Sequence, residues 1–249
     1  MFVLGCAWRC GSTLLQRYLN STGRVFIWGE HAGLLAGMPR AFADMWTMRD
    51  MGRRQLQELR HSPSAAWIAN VSPDIEAFLL PALRGFLVAA YAPATRERGI
   101  ARWGFKEVRY DAAMAKLLLS LFPAGRVVFL VRHPAGVLAS GATMEWRSTG
   151  GAAESTIDQW QRACASFLNL TDPRVLQLRY EDLTGDPAAA TRSLSEHLGI
   201  AAERFSADVL AVRVRGSRQE PSLGAEERAV LARPAVIDLA AAYGYRISA

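Results

Sequence analysis

The sequence predicts an α/β fold in which a central parallel sheet carries an inserted helical cap. Three observations predict it. Short apolar, β-rich runs alternate with helical stretches, and such alternation builds parallel strands joined by right-handed helical crossovers. The run Arg126–Val131 (RVVFLV) is almost continuously apolar, the pattern of a strand buried on both faces. The segment from about residue 30 to 91 breaks the alternation, being mostly helical and rich in Met and Trp.

Taken in order, Met1–Gly5 is a short apolar strand that ends on glycine, and Thr13–Ser21 is the helix after it. Arg24–Trp28 (RVFIW) is the second strand. The insertion follows, spanning about residues 30–100, with Met38, Met45, Trp46, Met48, Met51 and Trp67. Such residues serve either as core packing or as the wall of an acceptor pocket. Ala101–Val108 (ARWGFKEV) is a less apolar strand, followed by a helix over Asp111–Phe122. After the strand Arg126–Val131, Pro134 suits the first turn of a helix over Ala135–Met144. A helix over Ile157–Asn169, a strand over Arg174–Arg179 and a helix over Ala188–Leu198 complete the pattern. Ligands of such sheets sit at the carboxyl ends of the strands, so chemistry is sought just after each one.

Composition bounds the function. The 249 residues, 51% hydrophobic and 21% charged, exclude a disordered chain and a disulfide scaffold. With neither repeat nor linker, residues 1–249 read as a single domain. The 29 basic residues outnumber the 23 acidic ones by 6, which suits an anionic ligand. No block of like charges and no zinc-finger spacing occurs, so a small anionic molecule is expected rather than nucleic acid. Cys6, Cys10 and Cys164 are odd in number. With no basic, apolar leader at the N-terminus, they predict a reducing cytoplasm. No apolar run approaches the roughly 20 residues of a membrane span.

Two places carry anion chemistry. Gly5-Cys-Ala-Trp-Arg-Cys-Gly-Ser-Thr13 lies between a strand and a helix. Backbone amides and the helix dipole converge on an anion there. A Walker loop needs Gly and Lys where this chain has Cys10 and Gly11, and the cation has moved to Arg9. Ser12 either donates its hydroxyl to a ligand or caps the helix. The strand Arg126–Val131 ends in Arg132-His-Pro134, where Walker-type enzymes place an Asp for magnesium. A guanidinium repels a divalent cation and invites a second anion. Ser140, eight residues on, is placed to help Arg132 clamp it. No spacing of His, Cys, Asp or Glu suggests a metal site.

These residues resemble the 3′-phosphoadenosine 5′-phosphosulfate (PAPS)-dependent sulfotransferases, and most closely the branch of tyrosylprotein and bacterial carbohydrate or natural-product enzymes. Three blocks carry the resemblance: Arg9-Cys-Gly-Ser-Thr13, Arg126–Ser140 (RVVFLVRHPAGVLAS), and Leu178–Pro187 (LRYEDLTGDP). The resemblance implies a three-layer P-loop-like fold and, residue by residue, roles in the site. Arg9, Cys10 (through its backbone, since family members carry Ser there), Gly11, Ser12 and Thr13 would bind the 5′-phosphosulfate. Arg132 and Ser140 would bind the 3′-phosphate, Tyr180 would lie near the adenosine, and Ser217 in Arg215–Arg218 would cover the nucleotide. Lys106 stands where the branch has a catalytic Lys. Glu30, after Gly29, stands where it has the catalytic carboxylate, with His31 as the rival base. Arg9 and Lys106 would neutralise charge on the leaving oxygen. Glu107 and Arg109 read as a structural pair beside Lys106, Glu181 and Asp182 as helix caps, and His61 and His197 as surface residues. The expected reaction is metal-free sulfuryl transfer from PAPS to a hydroxyl or amine of a small, apolar or aromatic acceptor. The competing readings are a P-loop kinase, disfavoured by the missing Walker Lys and Asp, and a non-catalytic nucleotide-binding protein.

Overall fold

The computed structural model describes residues 1–141, 152–211 and 223–247. Five strands form one sheet: β1 Phe2–Gly5, β2 Val25–Trp28, β3 Arg102–Glu107, β4 Val127–Val131 and β5 Val175–Arg179. All adjacent pairs run parallel, in the order β2-β3-β1-β4-β5. All five expected strands are present, with ends shifted by a residue or two. From β1 the chain crosses through α1 (Ser12–Asn20) to the outer strand β2, then returns to β3. β4 lies on the other side of β1, and the chain leaves it towards β5. Winding thus reverses between β1 and β4, which opens a crevice at their carboxyl ends.

α4 (Ala112–Leu121) joins β3 to β4, α5 (Pro134–Gly141) and α6 (Ala152–Leu168) lie between β4 and β5, and α7 (Tyr180–Gly185) and α8 (Pro187–Leu198) follow β5. The last three residues expected in α5, 142–144, lie outside the described residues. α6 starts five residues before its expected beginning, where only Ala153 and Thr156 turn inward and no bulky apolar residue signals a helix. α7 and the later helices α9 (Asp208–Ala211), α10 (Ala225–Leu231) and α11 (Pro234–Ala242) were not expected from sequence; the first three, of four to seven residues, are too short for a periodic signal. Every residue of β4 is buried. Phe129 on β4 stacks on Phe167 of α6 at 3.9 Å between ring centroids. The indole nitrogen of the buried Trp160 donates to the Arg132 carbonyl at 2.9 Å, tying α6 to the end of β4.

The insertion is helical, as expected. It comprises α2 (Met38–His61) and a π-helical turn (Ile75–Leu79) that runs into α3 (Leu80–Arg96). Its Met and Trp residues are not core. Met38, Trp46, Met48, Met51 and Trp67 are exposed, and α2 buries only Gly52 and Gln55. The continuous helix Ile75–Arg96 spans 22 residues with mean hydropathy 1.5 in its most apolar window. By length and composition it is long enough to cross a membrane, which revises the expectation of no such run. Pro81, Arg84 and Pro93 interrupt its apolar sequence, and it packs on β3 and α4.

His197 is half-buried rather than a surface residue, and its Nε2 donates to the Val127 carbonyl at 3.0 Å. Burial pushes its pKa below the ordinary 6.5; the Val127 bond opposes that shift and the Arg126 charge adds to it. The unfolded chain therefore takes up the proton first, so this stability is present above 6.5 and is lost as pH falls through the lower folded value. The urea midpoint is expected to drop between about pH 7 and about pH 5, and His197→Gln, which keeps a donor for Val127, makes that drop shallower. An identical slope in the variant contradicts the assignment.

Candidate active site

β1 ends at Gly5 and α1 begins at Ser12, so residues 6–11 form the loop between them. The loop is tightly wound: Arg9 has φ 67° and Gly11 φ 93°. Left-handed backbone costs an L-residue roughly 1–2 kcal/mol, which glycine escapes and Arg9 does not. Gly11 is required twice, because a Cβ there would lie 2.2 Å from Cδ2 of Tyr180. Gly11, not Ser12, is the capping residue of α1, and no side chain caps it. The amides of the first helical turn lack intrahelical acceptors and carry the positive end of the helix dipole. Ser12 is buried in that turn and Thr13 is exposed. Cys10 turns inward beneath the loop, fully buried beside Cys6. That contact and burial push its thiol well up, so it is not a reactive thiolate, and its backbone alone faces the loop's anion site.

On the β4 side the structure brings Arg9, Arg132, Ser140 and Tyr180 together. Arg132 Nη1 donates to the Arg9 carbonyl at 2.9 Å, and its guanidinium lies 4.3 Å over the Tyr180 ring. Arg9 Nε donates to both the carbonyl and the Oγ of Ser140 at 3.2 Å. Ser140 thus holds Arg9, a contact the sequence did not suggest. Among the described residues neither guanidinium forms an ion pair with a carboxylate. Burial lowers the Arg9 pKa, and the neighbouring Arg132 charge lowers it further. An anion between them relieves that repulsion. Glu181 does more than sit in the first turn of α7. Its carboxylate accepts from the His133 amide at 3.0 Å and from Tyr245 Oη at 2.7 Å, which fixes the turn after β4. Tyr245 carries no motif and was missed. Ser217 lies outside the described residues.

On the β3 side lies the second cluster. β2 pairs with β3 at Trp28 and Phe105, so Glu30, two residues further on, reaches the level of Lys106 and Glu107. Lys106 Nζ donates to Glu30 Oε1 at 2.5 Å, and its side chain is 7% exposed. Arg109 Nη1 donates to Glu30 Oε2 at 3.1 Å and to Glu107 Oε1 at 2.6 Å. Glu107 is fully buried. It accepts from the amides of Gly33 and Val108 at 2.8 and 2.9 Å. Burial favours its neutral form, but the two amides and Arg109 outweigh burial and hold its pKa below the usual carboxylate value. The rival base, His31, is engaged in a turn: Nδ1 accepts from the Leu34 amide at 3.2 Å. Its ring stands edge-on to Phe105, and burial lowers its pKa. Among the described residues, no group of three or more His, Cys, Asp or Glu is placed to hold a metal ion.

Gly11→Ala is expected to lower stability by about 2 kcal/mol or more, from left-handed strain together with displacement of the Tyr180 ring. In a Tyr180→Ala background the same substitution should cost less, since only the strain remains. Equal costs in the two backgrounds, read from urea melts, contradict the contact.

The sequence profile of the sulfotransferase family matches residues 1–204, a stretch that includes the loop, Glu30, Lys106, Arg132, Ser140 and Tyr180. No curated protein sequence matches the chain. Among solved structures, the sulfotransferase domain of the Synechococcus PCC 7002 olefin synthase superposes with a TM-score of 0.54 at 18% identity, covering 100% of this chain and 95% of that one. The sulfotransferase domain of the curacin biosynthetic pathway gives 0.56 at 17%, covering 100% and 98%. A sulfotransferase from Alicyclobacillus acidocaldarius gives 0.52 at 14%, covering 99% and 96%. Identities this low establish the shared P-loop-like fold, and the profile match establishes the family. The chain belongs to the sulfotransferase family.

Proposed function

We propose that the protein transfers a sulfuryl group from PAPS to a hydroxyl or amine of a small acceptor. The observation that carries this reading is the pair of cationic side chains, Arg9 and Arg132, at the mouth of the strand–loop–helix turn, joined by the bond from Arg132 to the Arg9 backbone carbonyl and unpaired with carboxylates among the described residues. A nucleotide with two separated anionic groups matches such a site. The 5′-phosphosulfate takes the loop amides, Ser12, Thr13 and Arg9. The 3′-phosphate takes Arg132, and the adenosine lies along Tyr180. The acceptor is expected to be apolar or aromatic. In support, the insertion exposes Met38, Trp46, Met48 and Met51; its cavity of about 540 Å³ between α2 and the π-helical turn mixes Trp46, Leu56 and Phe78 with Arg49, Arg53, Asp74 and Glu76, and no residue of the candidate site lines it. We read the chain as one catalytic domain that works on a small molecule in the cytoplasm.

The reaction makes two bonds, acceptor oxygen to sulfur and proton to Glu30, and breaks two. The acceptor oxygen gives its proton to the Glu30 carboxylate and attacks sulfur. The bond from sulfur to the bridging oxygen breaks, and its electron pair stays on the departing adenosine 3′,5′-bisphosphate. Lys106 and Arg9 meet that growing charge, and one preorganised contact of this kind lowers a barrier by about 3–4 kcal/mol. Lys106 bonds Glu30 here; the donor's bridging oxygen competes for the same ammonium and frees a lone pair on the base. Sulfuryl carries less charge than phosphoryl, so guanidinium and ammonium groups suffice without magnesium.

Glu30→Gln keeps the shape and removes the base. Its affinity for adenosine 3′,5′-bisphosphate is expected to stay within about twofold, while ³⁵S transfer from PAPS to an acceptor pool falls about 100-fold or more. Wild-type transfer in EDTA should equal that in magnesium. Undiminished transfer by Glu30→Gln, or transfer that requires magnesium, contradicts the mechanism.

A further inference from the structure

Glu107 and Arg109 stand next to the proposed base and have no assigned part in the reaction. Their arrangement is more specific than a salt bridge requires. Glu107 is a fully buried carboxylate, and burying a charge costs several kcal/mol unless partners compensate. Its partners come from two elements: the Gly33 amide from the turn after β2, and the Val108 amide and Arg109 from the exit of β3. Arg109 is confined in turn. Its Cζ lies 5.1 Å from the Trp8 ring of the β1 loop, and its Cδ lies 3.1 Å from where a Cβ on Gly33 would stand. Within those walls one nitrogen, Nη1, reaches both carboxylates, Glu107 at 2.6 Å and Glu30 at 3.1 Å.

Resting on the proposed role of Glu30 as base, we propose that Arg109, anchored by Glu107, is the positioning residue that aims the Glu30 carboxylate. Glu30 projects from the irregular segment just after β2, not from a strand, and its side chain has free torsions. Lys106 holds Oε1, and among the described residues only Arg109 holds Oε2. When the leaving oxygen draws Lys106 away, Arg109 alone keeps the carboxylate plane fixed, with Oε1 turned to receive the acceptor proton. Glu107 gives Arg109 its fixed place, because its own two backbone bonds cannot move without unwinding the turns after β2 and β3. A misplacement of about 1 Å in such a group costs about 100-fold in rate. The guanidinium matters for its geometry, since it bridges two carboxylates from one rigid plane.

The test uses the whole chain, four single variants (Arg109→Ala, Arg109→Lys, Glu107→Gln and Glu30→Gln) and the double variant Arg109→Ala/Glu107→Gln. For Arg109→Ala, kcat for ³⁵S transfer should fall about 10- to 100-fold, with KM for PAPS and calorimetric affinity for adenosine 3′,5′-bisphosphate unchanged. Arg109→Lys, which keeps the charge but not the planar bridge, should recover only part of kcat. Glu107→Gln should lower kcat in the same way, and the double variant with Arg109→Ala should be no worse than the worse single one. Melting temperatures and nucleotide affinity identify any variant that fails to fold, and Arg109→Lys then carries the test alone. Wild-type kcat in Arg109→Ala and Arg109→Lys, or a loss confined to KM for PAPS, overturns the positioning role. If Glu30→Gln is itself fully active, the base assignment falls instead, so the two failures are distinguishable.

Discussion

The repulsion between two guanidinium groups gathered at the end of a buried strand constrains most of what surrounds them. Arg9 and Arg132 repel, and burial weakens the hold of Arg9 on its proton. Neighbouring elements restrain the pair. Ser140 on α5 fixes Arg9, the Tyr180 ring lies under Arg132, and the Arg9 carbonyl is itself an acceptor for Arg132. The left-handed turn at Arg9 and the absence of a side chain at Gly11 follow from fitting this cluster around Tyr180. A structure that stores repulsion in this way is organised for an anion.

The sheet order sorts two kinds of electrostatics to the two sides of β1. Towards β4 the positive charge is uncompensated by carboxylates among the described residues. Towards β3, Lys106 and Arg109 are matched by Glu30 and Glu107. In the proposed reaction the first arrangement would bind the charged donor, and the second would hold the Glu30 carboxylate in place through Lys106 and Arg109. The loop after β1 lies between them and touches both, through Arg9 on one side and Trp8 on the other. A reaction that separates binding of charge from removal of a proton uses both sides at once.

Much of this was legible in the sequence, for reasons that differ by element. β4 was plain because all five of its residues face core. The loop, Arg132, Glu30 and Lys106 were legible because each lies within a residue or two of a strand end, where position follows from topology. Contacts between distant segments were not legible. Nothing in the spacing of Glu107 and Arg109 reveals that their third partner lies 77 or 79 residues earlier, at Glu30. The bond from Arg9 to Ser140, 131 residues apart, was equally hidden, because distance along a helix does not say which side chain turns towards it. Tyr245 and Glu181 meet 64 residues apart with no motif to announce them. The exposed Met and Trp residues of the insertion defeat periodicity, which reports amphipathic character but not what faces the apolar side.

The most direct measurement of the account is the discrimination between adenosine 3′,5′-bisphosphate and adenosine 5′-monophosphate, titrated calorimetrically in EDTA. The wild-type protein is predicted to favour the bisphosphate by about 10- to 100-fold, the contribution of one charge-assisted guanidinium contact, and Arg132→Ala is predicted to erase most of that preference. A preference that survives the substitution intact contradicts the assignment of the β4-side guanidinium to the 3′-phosphate.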